Sequence, residues 1–151
     1  MDRTSDGLDA LTERIIGCAI EVHRTLGPGL LESIYRECLM IELTASQLGF
    51  DSERQIPLDY KGHRIRGELK LDLLVEDCVV VELKSVERLH PVYSAQVITY
   101  LKLTGCPAGL LLNFNATTLR AGLKRLDHPD RYVRKSPDLQ ASNPNPSEGA
   151  P

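Results

Sequence analysis

Leu8, Leu11, Ile15, Cys18, Ala19, Val22 and Leu26 recur at steps of three and four, the spacing that lines one face of an α-helix. Gly27-Pro28 supplies the stop, because glycine is favoured just past a helix end and proline cannot continue one. The chain resumes at Gly29 and runs to Leu43 with a second stripe of Leu31, Ile34, Tyr35, Cys38 and Leu39, and Gly49 marks its end. Two consecutive helices joined by a tight corner are predicted. The period then changes. Phe50 to Leu58 reads as extended, with Pro57 pointing to an edge strand or its end, and Tyr60-Lys61-Gly62-His63 reads as a turn leading through Ile65-Arg66-Gly67. Leu69 to Leu83 holds two apolar runs about a polar break at Glu76-Asp77, the pattern of a hairpin. Pro91 suits the first position of a helix that Gly105 closes, Ala108 to Phe114 is a short buried strand, and Thr117 to Leu126 fits helix or strand. The expected organisation is a flexible N-terminus over 1–7, one α/β sandwich over 8–126, and a largely disordered tail over 127–151 whose Pro, Ser and Asn content cannot build a core.

The hairpin carries the chemistry. Each apolar run contains one acid, Asp72 in the first and Glu82 in the second, and Lys84 follows two residues after Glu82. An acid inside a core strand costs desolvation energy unless something compensates it. A two-residue loop at Glu76-Asp77 would pair Asp72 with Val81 and send the two acids to opposite faces, since side chains alternate with period two. A three-residue loop, Glu76-Asp77-Cys78, pairs Val75 with Val79, Leu73 with Val81 and Leu71 with Leu83. One face then becomes wholly apolar (Leu71, Leu73, Val75, Val79, Val81, Leu83), and the other carries Lys70, Asp72, Leu74, Val80, Glu82 and Lys84. Burial of a continuous apolar face fixes register strongly, so the same burial opposes Asp72 to Glu82. Cβ atoms of opposed residues lie about 4.5–5.5 Å apart, within reach of one Mg²⁺ whose oxygen ligands sit at about 2.0–2.1 Å. A surface cluster of Asp, Glu and Lys on the outer side of the hairpin explains the same pattern.

Composition narrows the classes. The chain has 151 residues, 42% hydrophobic and 26% charged, with no Trp and a formal charge of −3. That is one domain with a real core, without the bulk positive charge or the aromatic platform of a general nucleic-acid binder. Cys18, Cys38, Cys78 and Cys106 lack ligand spacing and sit in apolar contexts, so each reads as a small buried hydrophobe. No apolar run approaches membrane-spanning length, and a reduced cytoplasmic compartment is expected. His23, His63, His90 and His128 form no ligand spacing, and only His90 falls near the expected site.

The stretch D-L-L-V-E-D-C-V-V-V-E-L-K resembles the core of the PD-(D/E)XK nuclease superfamily, with Asp72 as first acid and Glu82-Leu83-Lys84 as the (D/E)-X-K. Leu71 stands where that pattern has proline. Gln96-Val97-Ile98-Thr99-Tyr100 is similar to the Q-x-x-x-Y helix of the RecB-like branch. Gly29-Leu30-Leu31-Glu32-Ser33-Ile34-Tyr35 is similar to the signature of the GxxExxY family of small, mostly bacterial proteins. The resemblance implies a restriction-endonuclease-like mixed β-sheet flanked by α-helices, two of them preceding the sheet. It implies a metal-dependent nuclease hydrolysing phosphodiester bonds of DNA or RNA, with Mg²⁺ or Mn²⁺ held by Asp72, Glu82, the Leu83 carbonyl and Glu32. Lys84 would act on the attacking water or the developing charge, Gln96 would orient substrate or the Lys84 amine, and Tyr100 would contact a phosphate or merely pack.

Other roles suit several of these residues. Glu32, in a first helical turn, also suits the helix dipole and free N–H groups, and Tyr35 suits packing at the helix corner. Arg120, Lys124, Arg125, Arg131, Arg134 and Lys135 form the most basic stretch, fit to follow a phosphate backbone or to be a solvated face. The rival class is a catalytically inactive nucleic-acid-binding, accessory or scaffold protein that retains the fold, with a homodimer or a partner on its two-helix face. The hairpin makes one geometric demand: the turn at Asp77 holds an odd number of residues or a bulge.

Overall fold

The computed structural model describes residues 4–130. Helices α1 (Ser5–Leu26) and α2 (Glu32–Ala45) come first, followed by strand β1 (Phe50–Ile56) and a short hairpin of β2 (Asp59–Tyr60) and β3 (His63–Arg64). The central strands β4 (Leu69–Val75) and β5 (Val79–Lys84), helix α3 (Pro91–Thr104) and strands β6 (Ala108–Asn113) and β7 (Leu123–Asp127) complete the chain. The main sheet has the order β1-β4-β5-β6-β7. Only β5 and β6 run parallel, and α3 is their crossover. This is the mixed sheet flanked by helices that a restriction-endonuclease-like fold requires, with two helices before the sheet.

Local chemistry sets the helix ends. Thr4 caps α1 by accepting a hydrogen bond from Gly7 N–H at 3.1 Å, so the helix starts three residues before its first apolar position and takes in residues 5–7, expected as flexible chain. At the corner, Gly27 (φ 69°) and Gly29 (φ 102°) adopt left-handed backbone that glycine tolerates. α2 therefore begins at Glu32, not at Gly29. Tyr35 is fully buried there: its hydroxyl donates to Gly27 C=O at 2.5 Å and accepts from Leu30 N–H at 3.1 Å, while its ring stacks on Phe114 at 4.6 Å. Pro91 opens α3 and Gly105, at φ 75°, ends it.

Two cores sandwich the sheet. α1 and α2 cover one face through Ile15, Ala19, Tyr35, Leu39, Leu73, Val75, Val81 and Leu110, and α3 covers the other through Val97, Leu101, Leu74, Val80 and Leu111. The four cysteines lie in or against these cores, as expected. One detail of the hairpin faces differs from expectation. Leu71 packs with Leu74 and Val80 on the α3 side, not with Leu73 and Val75. The alternation breaks at Asp72, where neither adjoining ladder makes a pair, and Glu53 across on β1 adopts φ 51°.

Thr117 to Leu126, open to either reading, resolves into a 3₁₀ turn (Arg120–Gly122) and β7. Pairing with β6 decides this, because the ladder β7 supplies covers what would otherwise be a bare edge. Just past β7, His128 is buried and its backbone N–H donates to Pro107 C=O at 2.9 Å. The rest of the expected tail, 131–151, lies outside the described residues, with Arg131, Arg134 and Lys135 among them.

Gly109 on β6 lets α3 approach the sheet: a Cβ there would lie 2.6 Å from Cγ1 of buried, β-branched Val97. Gly109→Ala is expected to lower unfolding free energy by about 1–3 kcal/mol in urea titrations, and adding Val97→Ala to relieve the overlap.

Candidate active site

The turn joining β4 to β5 has three residues, Glu76-Asp77-Cys78, and the ladder pairs Val75 with Val79, Leu74 with Val80 and Leu73 with Val81. Glu76 (φ 53°) and Asp77 (φ 50°) both take left-handed backbone, and Cys78 N–H closes the turn onto Val75 C=O at 3.0 Å. This is the odd count that the opposed acids demand.

Beyond Leu73 and Val81 the ladder gives way to side chains. Asp72 N–H donates to Glu82 Oε1 at 3.1 Å, and Leu83 N–H donates to Asp72 Oδ2 at 2.9 Å. Each carboxylate thus satisfies a backbone amide of the opposite strand, and the two acids are locked face to face. Glu82 is 7% exposed. Burial first, and the neighbouring Asp72 charge second, push its carboxyl from 4.5 up to about 8. Lys84 offsets this only slightly, and its Nζ lies over the Tyr93 ring at 4.5 Å from the centroid.

Both helical layers reach this pair. From α3, Tyr100 is half-buried, and its hydroxyl is raised above the usual phenol range by burial and then by the charges of Glu82 and Asp72. Gln96, one turn earlier on α3, is exposed. From α2, Glu32 Oε1 accepts from Ser85 N–H at 3.3 Å, while Ser85 Oγ donates to Leu30 C=O at 2.5 Å. Glu32 therefore ties the corner to the segment after Lys84. Among the described residues no group of three His, Cys, Asp or Glu side chains is placed to hold a metal ion. A pair of opposed carboxylate oxygen donors suits a hard divalent cation.

The basic stretch is not gathered there. β7 lies two strands from β5, roughly 10 Å at ordinary strand spacing. Arg125 is engaged with Asp9 at 2.7 Å, Asp127 at 3.5 Å and Thr12 at 3.3 Å, which fastens α1 to the sheet edge. Arg120 and Lys124 are exposed, and Lys124 follows Leu111 onto the α3 side while Arg125 follows Leu110 onto the α1 side.

Motif reading missed four participants. Arg36 on α2 reaches Asp72 Oδ1 with Nη1 at 3.7 Å and Glu53 Oε1 with Nη2 at 3.3 Å. Tyr93 receives the Lys84 amine. Buried Asn113 accepts from Val86 N–H at 3.1 Å and donates to Val86 C=O at 2.9 Å, and Phe114 N–H donates to Lys84 C=O at 2.9 Å. Asn113 left a signal, an amide closing the apolar run A-G-L-L-L-N. Arg36 and Glu53 left none, because only the fold brings α2, β1 and β4 together.

A mixed sheet between helical layers, with two helices preceding it, is the architecture of a restriction-endonuclease-like fold. The sequence model of the PD-(D/E)XK nuclease superfamily matches residues 9–126, and the chain belongs to that superfamily. Neither a curated protein nor a solved structure gives a significant match. No helix among the described residues is long and apolar enough to cross a membrane.

The shift at Glu82 fixes a pH dependence. With its folded value raised from 4.5 to about 8, Glu82 binds a proton more tightly in the folded chain. The resulting stabilisation is full below the unfolded value and is lost as pH rises through the folded one. In chelator-treated protein, urea unfolding is expected to show stability falling between pH 4.5 and about 8, with Glu82→Gln markedly less dependent on pH over that window.

Proposed function

We propose that this protein is a metal-dependent nuclease of the GxxExxY family, within the RecB-like branch, that hydrolyses phosphodiester bonds of nucleic acid. The observation that carries this reading is the locked pair of Asp72 and Glu82, two carboxylates held across the strands with one buried at a raised pKa. The energetic cost of that arrangement is met when a cation shares both. Asp72, Glu82 and the Leu83 carbonyl would hold Mg²⁺ or Mn²⁺, with Glu32 as a further acidic ligand, directly or through water. Such an ion, when bound, would supply Lewis-acid polarisation of the phosphate and a more acidic water.

The chain's own groups do the remaining work. Lys84 leaves the Tyr93 ring to orient the attacking water and to offset charge developing on the phosphate. Gln96 orients the substrate or the Lys84 amine from the exposed face of α3. Tyr100, beside both carboxylates, donates its hydroxyl to a phosphate oxygen, its raised pKa keeping it protonated. Arg120 and Lys124 offer outlying contacts to the phosphate backbone, while Arg125 serves this surface mainly by holding α1 through Asp9.

A second reading, a nucleic-acid-binding or accessory protein without turnover, is favoured by one observation: the Lys84 amine is seated on Tyr93. Two experiments separate the readings. Calorimetric titration with Mn²⁺ is expected to show binding that Asp72→Asn and Glu82→Gln each abolish; binding indifferent to both changes would remove the metal site. Lys84→Ala is expected to keep the fold and the Mn²⁺ affinity while cutting DNA or RNA cleavage by about 10²-fold or more. Undiminished cleavage in that variant would make Lys84 structural, and a wild type that binds Mn²⁺ without cleaving any substrate tried would favour the accessory role.

A further inference from the structure

Arg36 belongs to none of the motifs, yet it is the cation that contacts Asp72. It stands one turn after Glu32 on α2 and so on the same face. Its guanidinium bridges two acids from different strands, Asp72 on β4 at 3.7 Å and Glu53 on β1 at 3.3 Å. Arg36 and Asp72 are both largely covered, with side chains 23% and 25% exposed, whereas Glu53 is 59% exposed. The Asp72 carboxylate is divided between two partners: Oδ2 accepts from Leu83 N–H, and Oδ1 faces the guanidinium. The backbone is arranged around this contact. The β1–β4 ladder pairs Ser52 with Leu73 and Arg54 with Leu71 and skips the position between them, where Glu53 sits at φ 51°. A non-glycine residue in the left-handed region is uncommon and costs energy, and here it accompanies an acid that meets Arg36 beside the site.

We propose that Arg36 is a resident counter-cation of the site, which competes with a divalent ion for Asp72 Oδ1 and is retained by Glu53 alone when that ion binds. The inference rests on the reading of Asp72 and Glu82 as metal ligands. Arg36 and a divalent cation repel each other across the carboxylate they would share, so Arg36 weakens metal binding. Glu53 strengthens it by holding the displaced guanidinium. The two residues therefore tune the same affinity in opposite directions, and loading the site loosens the link between α2 and β4. Arg36 is a positioning residue in this scheme: it acts on metal occupancy through Asp72.

The test is Mn²⁺ calorimetry on the full chain at fixed pH and ionic strength, with circular dichroism to establish that each variant is folded. Arg36→Gln is expected to tighten Mn²⁺ binding on the order of tenfold. Arg36→Lys, which keeps the charge, is expected to stay near wild type. Glu53→Gln is expected to weaken binding several-fold, on the order of the same coupling, and to lose most of that effect in the Arg36→Gln background. Unchanged or weaker binding in folded Arg36→Gln overturns the proposal, as does tighter binding in Arg36→Lys equal to that in Arg36→Gln. Should Arg36→Gln fail to fold, Glu53→Gln decides alone, and an unchanged or tighter affinity there overturns it. Absence of any Asp72-dependent binding in the wild type removes the metal reading itself and the inference with it, whereas Asp72-dependent binding indifferent to Arg36 and Glu53 removes only the inference.

Discussion

Two hydrogen bonds from backbone amides to carboxylates take over where the β4–β5 ladder stops: Asp72 N–H to Glu82 and Leu83 N–H to Asp72. A sheet that simply continued would satisfy those amides with carbonyls and leave both acids to point where alternation sent them. Here each acid is held by the strand that carries the other. A buried amide left unpaired costs about 1–3 kcal/mol, so neither carboxylate can turn away without leaving a donor behind. The price is electrostatic, since Glu82 is nearly covered beside a second acid and retains its proton to about pH 8. The geometry that fixes the pair is therefore also what raises the Glu82 pKa.

The rest of the fold arranges groups around that pair by packing. Tyr35 is locked between Gly27, Leu30 and the Phe114 ring, which sets the corner from which Glu32 reaches Ser85 and Arg36 reaches Asp72. Gly109 lets α3 lie close on β6, and the same helix carries Tyr93 to Lys84 and Tyr100 to the carboxylate pair. Asn113 and Phe114 N–H pin the segment from Lys84 to Val86 to β6. Three layers thus hold the site, and no single element carries it. Membership of the PD-(D/E)XK superfamily accords with this architecture of a central mixed sheet between helices.

Much was legible in the chain itself. The spacing of apolar residues marks α1, α2 and α3, with Gly27-Pro28, Pro91 and Gly105 bounding them, because helix periodicity and helix punctuation are local. The parity of the hairpin was legible for the same reason: an apolar face that must be buried admits only a register that opposes Asp72 to Glu82, and the three-residue turn follows. Tyr35 as packing at the helix corner was legible too. What was not legible depended on residues far apart in sequence. The assignment of Leu71 to the α3 side follows from a break in alternation shared with Glu53, some twenty residues earlier. The strand β7 was ambiguous because its pattern is weak, and only its pairing with β6 selects an extended chain.

The sequence alone therefore determined that Asp72 and Glu82 must face one another, because that follows from local periodicity and from the demand to bury one apolar face. Tertiary structure decided the electrical setting of those side chains. It buried Glu82, brought Arg36 from α2 and Glu53 from β1 onto Asp72, and seated Lys84 on Tyr93. Coulombic and desolvation energies depend on distance and cover in space, and neither is encoded by spacing along the chain.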